Sequence, residues 1–333
     1  MIAPTNTVLV TGGAGYVGSH VSKALSVAGY VPVCYDNLSR GFRWAVKWGP
    51  FEQGDIGDAA RLKSVLDTYA PVGVIHLAGY AYVGESVTFP ELYRTNNVEG
   101  SRVLIETLSQ PTRAKIPVVF SSTCSIYGDQ GTGPLNESLP AQPINPYAKG
   151  KLAVEEMLCD YREKSGGQSV ALRYFNASGA DPDGDIGEAH DPETHLIPLT
   201  LEAAAGIRPE ITVFGTAHGT PDGSCIRDYV HVSDLADAHV AALERMHSGS
   251  MPSVINLANG RGYSVFEVID AVRRATGRDV NVRLGEARAG DPAVLVGDAG
   301  LAKAVLGWAP QYSALDTQVQ HAWAWFEQYR NRK

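Results

Sequence analysis

The chain has 333 residues, 44% of them hydrophobic, and its 36 acidic and 28 basic residues give a formal net charge of −8. An acidic protein lacks the broad basic surface of a general nucleic-acid binder, and no apolar run approaches the roughly 18 residues that span a membrane. The four dispersed cysteines form no CxxC pair, and the first predicted strand begins too early to leave room for a signal peptide. We therefore expect a globular, cytoplasmic protein with reduced thiols, binding neither nucleic acid nor membrane.

Short apolar runs alternate with helical patterns through the first half of the chain. Predicted strands cover Thr7–Val10, Val31–Tyr35, Phe51–Gln53, Val72–Leu77, Pro117–Ser122 and Ser169–Tyr174. Predicted helices between them cover Gly15–Ala28, Asp58–Tyr69, Pro90–Leu108 and Tyr147–Lys164. Repeated units of this kind predict an α/β fold built on a Rossmann-type, doubly wound parallel sheet.

The pattern changes after Asn176. Residues Asp181–His195 are rich in Pro, Gly and acidic residues and predict a loop, and shorter elements follow, such as a strand at Ile211–Phe214 and a helix at Ser264–Thr276. We therefore predict a nucleotide-binding domain over residues 1–176, which includes the Tyr147 helix, and a mainly substrate-binding α/β lobe over residues 177–333.

A glycine-rich turn joins the first predicted strand to the first helix. Gly12 allows a tight turn, Gly15 allows close approach of a pyrophosphate, and Gly18 allows the helix to pack on the strand. Asp36 lies 24 residues after Gly12, at the end of the second strand, where a carboxylate can bond the adenosine ribose. This pattern predicts NAD rather than NADP, although two nearby arginines, Arg40 and Arg43, weigh slightly against that preference.

Several polar or small residues lie just past the ends of predicted strands: Gly12, Asp36, Asp55, Ala78, Thr123 and Asn176. Ligands of open α/β sheets bind outside the carboxyl ends of the strands, so one crevice could contain all six. Two readings of Asp55 are equally open, contact with the adenine and a carboxylate near a helix N-cap.

Three residues downstream of the glycine turn carry the hydroxyl, phenol and ammonium groups of a candidate redox site. Thr123 ends the fifth strand, and Tyr147 and Lys151 are four residues apart on one helical face. A phenol ionises near pH ~10, and a cation beside it favours the phenolate and makes it a usable acid or base. The Thr123 hydroxyl can bond a substrate oxygen. We predict these three residues as catalytic, against the alternative of a strand-end turn beside a solvated helix face.

Longer motifs carry a more specific resemblance over nearly the whole chain. They are Thr11–His20, Asp36–Leu38, Gly54–Ile56, Val83–Val87, Asn96–Val98, Tyr127–Asp129, Tyr147–Lys151, Arg173–Asn176 and Gly223–Val232. On these residues the chain resembles the extended short-chain dehydrogenase/reductase family, and in particular its UDP-glucose (UDP-galactose) 4-epimerases. The resemblance implies tightly held NAD, transfer of hydride from the sugar C4 to NAD, turning of a 4-keto intermediate, and return of hydride to its other face.

The resemblance and the fingerprint together predict two groups of binding residues, and the resemblance also implies a homodimer formed by two helices that pack as a bundle. The cofactor group comprises Gly12, Gly15, Tyr16, Val17, Gly18, Asp36, Asn37, Asp55, Ile56, Leu77, Ala78, Asn96, Tyr147 and Lys151. The UDP-sugar group comprises Thr123, Tyr147, Phe175, Asn176, Leu196, Phe214, Arg227, Arg288 and Asp291. The two arginines suit a diphosphate, because guanidinium groups bind phosphate in a bidentate manner.

Three positions depart from the family pattern and leave the substrate open. Ala81 replaces a lysine near the cofactor, His195 replaces an asparagine, and Leu295 stands where a bulky tyrosine often limits space beside the sugar C2. UDP-N-acetylglucosamine and UDP-pentoses are therefore alternative substrates. A sugar-nucleotide 4,6-dehydratase or decarboxylase is disfavoured, because Thr123 is followed by Cys124, Ser125 and Ile126 rather than by an acid. A non-catalytic regulator is disfavoured because Tyr147 and Lys151 are both present.

Asp181, Asp183 and Asp185 resemble the start of a calcium loop. Ile186 occupies the position that needs glycine, and Pro192 occupies the position of the bidentate glutamate. We therefore expect a solvated acidic loop and no metal site.

Overall fold

The computed structural model describes residues 6–131, 133–288 and 291–330. Its strands are β1 Thr7–Thr11, β2 Val31–Asp36, β3 Phe51–Gln53, β4 Gly73–His76, β5 Val118–Thr123, β6 Ser169–Tyr174, β7 Asn176–Ser178, β8 Ile211–Phe214, β9 Ile226–His231, β10 Val254–Leu257, β11 Gly262–Ser264, β12 Val282–Gly285 and β13 Val294–Leu295. Its helices are α1 Tyr16–Val27, α2 Ala59–Tyr69, α3 Val83–Thr88, α4 Pro90–Tyr93, α5 Gly100–Leu108, α6 Pro146–Ser165, α7 Leu196–Ala204, α8 Val232–Ser248, α9 Val265–Thr276, α10 Gly300–Leu306 and α11 Leu315–Arg330. Within these ranges no helix combines the length and hydropathy that a membrane crossing requires.

The main sheet has seven parallel strands in the order β10-β6-β5-β4-β1-β2-β3. Side chains of a strand alternate between faces, so Val8 and Val10 of β1 join one hydrophobic cluster while Leu9 joins another. Helices α1 and α8 cover the first face, and α2, α5 and α6 cover the second. The predicted fold class is confirmed, since parallel strands buried on both faces define a doubly wound sheet.

A smaller lobe lies beyond the carboxyl ends of these strands. In it β9 pairs with β7, β11 and β13, while β8 and β12 form a parallel pair. Its core is formed mainly by apolar residues of α7, α9 and α11. Because β9 carries Arg227 and pairs with β7, which begins at Asn176, the lobe lies directly against the edge of the main sheet.

Two features of the fold were not predicted. The chain returns to the main sheet after residue 176, because α8 packs on α1 and β10 pairs with β6. The predicted helix Pro90–Leu108 is divided by a π-helical segment, Arg94–Glu99. In that segment the buried Asn97 amide bonds both the N–H and the C=O of Tyr80, each at 2.8 Å. This contact anchors the wide turn beside β4.

Candidate active site

A cavity of about 1200 Å³ lies between the carboxyl edge of the main sheet and the smaller lobe. The predicted site residues that line it are Gly12, Gly15, Tyr16, Val17, Gly18, Asp36, Asn37, Ile56, Leu77, Ala78, Asn96, Thr123, Tyr147, Lys151, Phe175, Asn176, Leu196, Phe214, Arg227, Arg288 and Asp291. Among the described residues that form the wall, Asp55 does not appear. One crevice therefore brings together almost the whole predicted set.

The glycine turn is packed too closely for side chains. Gly12 has φ +73°, and a Cβ there would lie 2.6 Å from the Ala78 nitrogen. A Cβ on Gly18 would lie 2.1 Å from the Gly12 oxygen. Gly15 precedes α1, and no described side chain caps the first turn of that helix. Its backbone N–H groups are therefore available to an anion.

Asp36 is held rigidly at the cavity wall. Its two carboxylate oxygens accept hydrogen bonds from the Ala14 N–H (3.0 Å) and the Leu38 N–H (2.8 Å). Burial raises the pKa of Asp36, and these bonds oppose the rise. The neighbouring arginines are engaged elsewhere: Arg40 pairs with Glu85 at 2.6 Å, and Arg43 lies over the Phe51 ring. This surrounding favours a ribose hydroxyl over a 2′-phosphate beside Asp36.

Asp55 serves the turn before α2. Its carboxylate accepts hydrogen bonds from the Gly57 N–H and from the Asn37 side chain, each at 2.8 Å. Asp58 caps the helix by accepting a bond from the Arg61 N–H. Of the two readings of Asp55, this geometry supports the structural one near the helix N-cap.

The catalytic candidates are positioned by β5 and by the start of α6. Asn145 caps α6 by accepting a bond from the Ala148 N–H at 2.8 Å. Lys151, only 5% exposed, donates to the Ser121 carbonyl at 2.7 Å, and its ammonium lies 5.8 Å from the centroid of the Tyr147 ring. The ammonium and the phenol thus share one wall of the cavity.

Burial is the largest influence on the pKa values of Lys151 and Tyr147. It lowers the pKa of Lys151 to about 8, against the opposing charge of Glu155. It also raises the pKa of Tyr147, an effect that Tyr174 reinforces and the Thr123 side chain opposes. That Lys151 favours the phenolate of Tyr147 stays a prediction, because burial of the phenol acts in the opposite direction.

The opposite wall carries two guanidinium groups. Arg227, on β9, forms an ion pair with Asp291, so two residues predicted to hold substrate also hold each other. Arg288 is exposed and lies 4.2 Å from the centroid of the Phe214 ring. Leu295, buried on β13 beside Arg227, also lines the cavity.

Some lining residues were missed by sequence reasoning. Tyr174 hydrogen bonds Ser121, and its place at the end of β6 is the signal that could have revealed it. Arg208, Glu188 and His190 also line the wall, and no motif marks them.

Asp181, Asp183 and Asp185, here called the acidic triad, surround a lysine side chain. The sequence had predicted only a solvated acidic loop. The Lys23 ammonium lies 2.8 Å from Asp181, 2.7 Å from Asp183 and 3.1 Å from Asp185. These contacts raise the pKa of Lys23 despite partial burial, so the central cation of the triad is the lysine.

Comparison with known proteins identifies the family. The model of the NAD dependent epimerase/dehydratase family matches residues 8–258. The chain belongs to this family. Within the family it is 47% identical over 321 residues to the UDP-glucose 4-epimerase of Rhizobium meliloti, covering 96% of this chain and 97% of the relative.

Two solved structures of the family give the same picture. The UDP-glucose 4-epimerase from Brucella ovis in complex with NAD has a TM-score of 0.93 at 50% identity, with 96% of this chain and 98% of that chain covered. The enzyme from Stenotrophomonas maltophila, with bound NAD and formylated UDP-arabinopyranose, has a TM-score of 0.93 at 35% identity, with 98% and 100% covered. The predicted resemblance to UDP-glucose 4-epimerases is confirmed.

Proposed function

We propose that this protein interconverts UDP-glucose and UDP-galactose by NAD-dependent inversion at C4. The observation that carries the proposal is the meeting of Thr123, Tyr147 and Lys151 with the glycine turn in one cavity. The chain's membership of an NAD dependent epimerase/dehydratase family supports the same reaction.

The described residues fit NAD. The uncapped first turn of α1 suits a pyrophosphate, and the carboxylate of Asp36 suits the ribose hydroxyls. We assign Lys151 to the nicotinamide ribose, within reach of its buried ammonium. When bound, NAD supplies an acceptor that takes hydride from the sugar C4 and gives it back.

The chain's own residues move the proton and hold the sugar. Tyr147 accepts the proton of the 4-hydroxyl and returns it, and the Thr123 hydroxyl orients the same oxygen. Because burial raises the pKa of Tyr147, the phenolate that accepts this proton requires nearby positive charge, which the Lys151 ammonium supplies at 5.8 Å from the ring centroid.

We assign the UDP group to the opposite wall. Arg227 and Arg288 provide guanidinium partners for the diphosphate, and both line the cavity. Phe175, Asn176, Leu196, Phe214 and Asp291 complete this assignment. A wider substrate range, with UDP-N-acetylglucosamine, is the second candidate, because Leu295 is part of the cavity wall.

We also propose a cytoplasmic homodimer, in which residues 1–176 mainly hold the cofactor and residues 177–333 mainly hold the UDP-sugar. The four cysteines are free, which suits a reducing compartment. Phe89 is 56% exposed and Leu92 is 42% exposed at the start of the α4–α5 segment, where a second copy could cover them. Sedimentation equilibrium of wild type and of a Phe89→Ser/Leu92→Ser variant tests the dimer, which is wrong if the wild type is monomeric.

The test of function uses purified protein without added cofactor. We expect it to carry NAD and to bring UDP-glucose and UDP-galactose to equilibrium from either side, as measured by chromatography of the two sugars. Well-folded protein that contains NAD yet leaves both sugars unchanged would refute the proposed reaction. Folded protein that gains no activity even when NAD is supplied would refute it equally.

A further inference from the structure

Four metal-ligating side chains converge in the segment that leads into α7. Glu188, His190, Glu193 and His195, here called the Glu/His cluster, each offer one ligand atom, and these four atoms all lie within 4.8 Å of one another. The Nδ1 atoms of His190 and His195 lie 3.1 Å and 2.8 Å from Glu188 Oε1. The proposed reaction leaves this cluster unused.

Within the Glu/His cluster His195 Nδ1 hydrogen bonds Glu193 Oε1 at 3.0 Å, whereas the contacts of His190 Nδ1 are poor as hydrogen bonds. His190 Nδ1 is buried and, among the described residues, has no partner in hydrogen-bond geometry, although two carboxylates lie 3.1 Å and 3.6 Å away. Glu193 Oε1 accepts bonds from the N–H groups of Thr194 (2.8 Å) and His195 (2.9 Å), which leaves Oε2 directed at His190. Such a pinned carboxylate is typical of a metal ligand with a supporting outer shell.

The rings and carboxylates are also held in place from outside. His190 makes edge contacts with Tyr16 and Tyr82, and His195 makes one with Tyr82. The side chains of Glu188 and Glu193 are only 10% and 9% exposed. Two buried carboxylates need positive charge, and a divalent cation between neutral imidazoles balances them completely.

The acidic triad offers a useful contrast. Its three carboxylates surround the Lys23 ammonium, so its charge is already balanced by a side chain. In the Glu/His cluster the only cationic groups in contact, among the described residues, are the two imidazoles themselves. A proton on each imidazole and one divalent metal are therefore the two ways to neutralise it.

We propose that Glu188, His190, Glu193 and His195 bind one Zn²⁺ ion. Zinc takes four N or O ligands at about 2.0–2.2 Å, which places neighbouring ligands about 3.3 Å apart, close to the separations in the cluster. The ion links Glu188 to His195, the residue before α7. It thereby fixes residues 188–196, of which His195 and Leu196 line the cavity. Its role is structural, and it binds independently of the proposed epimerase reaction.

The test is metal binding by the full chain, purified without a metal-affinity tag and stripped with a chelator. We expect wild-type protein to take up one equivalent of Zn²⁺, measured by plasma mass spectrometry after dialysis, and to show a higher thermal midpoint with the metal. Co²⁺ in place of zinc should give the strong visible absorption of a tetrahedral site. A His190→Ala/Glu193→Ala variant should lose the bound equivalent and the thermal shift.

The matched control is His247→Ala, which removes an exposed histidine at the end of α8 and should keep the zinc. Should the double variant fail to fold, Glu193→Gln keeps the Oε1 acceptor and removes only the charge, and it should weaken zinc binding at least ~10-fold. Wild-type protein that binds no zinc, or variants that bind it as wild type does, would overturn the proposal.

Discussion

The Lys151 ammonium donates to the backbone carbonyl of Ser121 at 2.7 Å, which ties α6 to the end of β5. The same ammonium lies 4.8 Å from the centroid of the Phe120 ring. A buried cation is thus held by one strand, next to the phenol that we assign as the acid and base. Its burial has a measurable cost in stability.

We predict that Lys151→Met changes how stability depends on pH. The pKa of Lys151 is lowered from 10.5 to about 8, so between these values the unfolded wild type binds more protons than the folded one. The free energy of unfolding of wild type should therefore rise with pH over this interval relative to the variant, by up to about 3 kcal/mol. Urea unfolding of both proteins at about pH 7.5 and about pH 10 measures the difference. Parallel pH profiles would contradict a lowered pKa.

Removing the Tyr147 hydroxyl should abolish proton transfer and leave NAD bound. We expect Tyr147→Phe to lower kcat by about 10²–10⁴-fold, the usual contribution of a general acid or base. The control on the same helix is Tyr161→Phe, which loses hydrogen bonds to the Ala114 and Ile116 carbonyls and should cost about 1–3 kcal/mol of stability without loss of kcat. Activity of Tyr147→Phe within a factor of two of wild type would remove Tyr147 from the mechanism.

The glycine turn should tolerate no methyl group. In Gly18→Ala the new Cβ would lie 2.1 Å from the Gly12 oxygen, so α1 must move away from the turn. We expect the purified variant to contain little NAD, as measured by release of the nucleotide on denaturation. Gly219→Ala is the control, because no heavy atom lies within 4 Å of its Cβ. Equal NAD content in the two variants would place the pyrophosphate elsewhere.

Much of the site could be predicted because local sequence determines it. Gly12 follows β1, while Asp36 and Thr123 are the last residues of β2 and β5. Parallel strands place their carboxyl ends at one edge of the sheet, independently of the rest of the chain. The doubly wound sheet follows from the same alternation of strands and helices.

What could not be predicted depends on contacts between distant residues. Lys23 meets Asp181 across 158 positions, so no local pattern reveals that the acidic triad contains a cation. The pKa of Tyr147 depends on burial, which spacing to Lys151 does not report. The return of β10 to β6 likewise depends on packing of α8 against α1.

We predict that the side chain of Leu295, on β13, determines which UDP-sugars the protein accepts. Leu295 is buried in the cavity wall and pairs in register with Arg227, and it is shorter than tyrosine and lacks a hydroxyl. We predict measurable epimerisation of UDP-N-acetylglucosamine alongside UDP-glucose, and selective loss of the former in Leu295→Tyr, because the larger ring fills the space beside C2. The measurement is kcat/KM for both substrates and a UDP-pentose, with Leu284→Tyr, at a 62% exposed position, as control. No turnover of the N-acetyl sugar by wild type, or equal losses on both hexoses in Leu295→Tyr, would show that another residue controls selection.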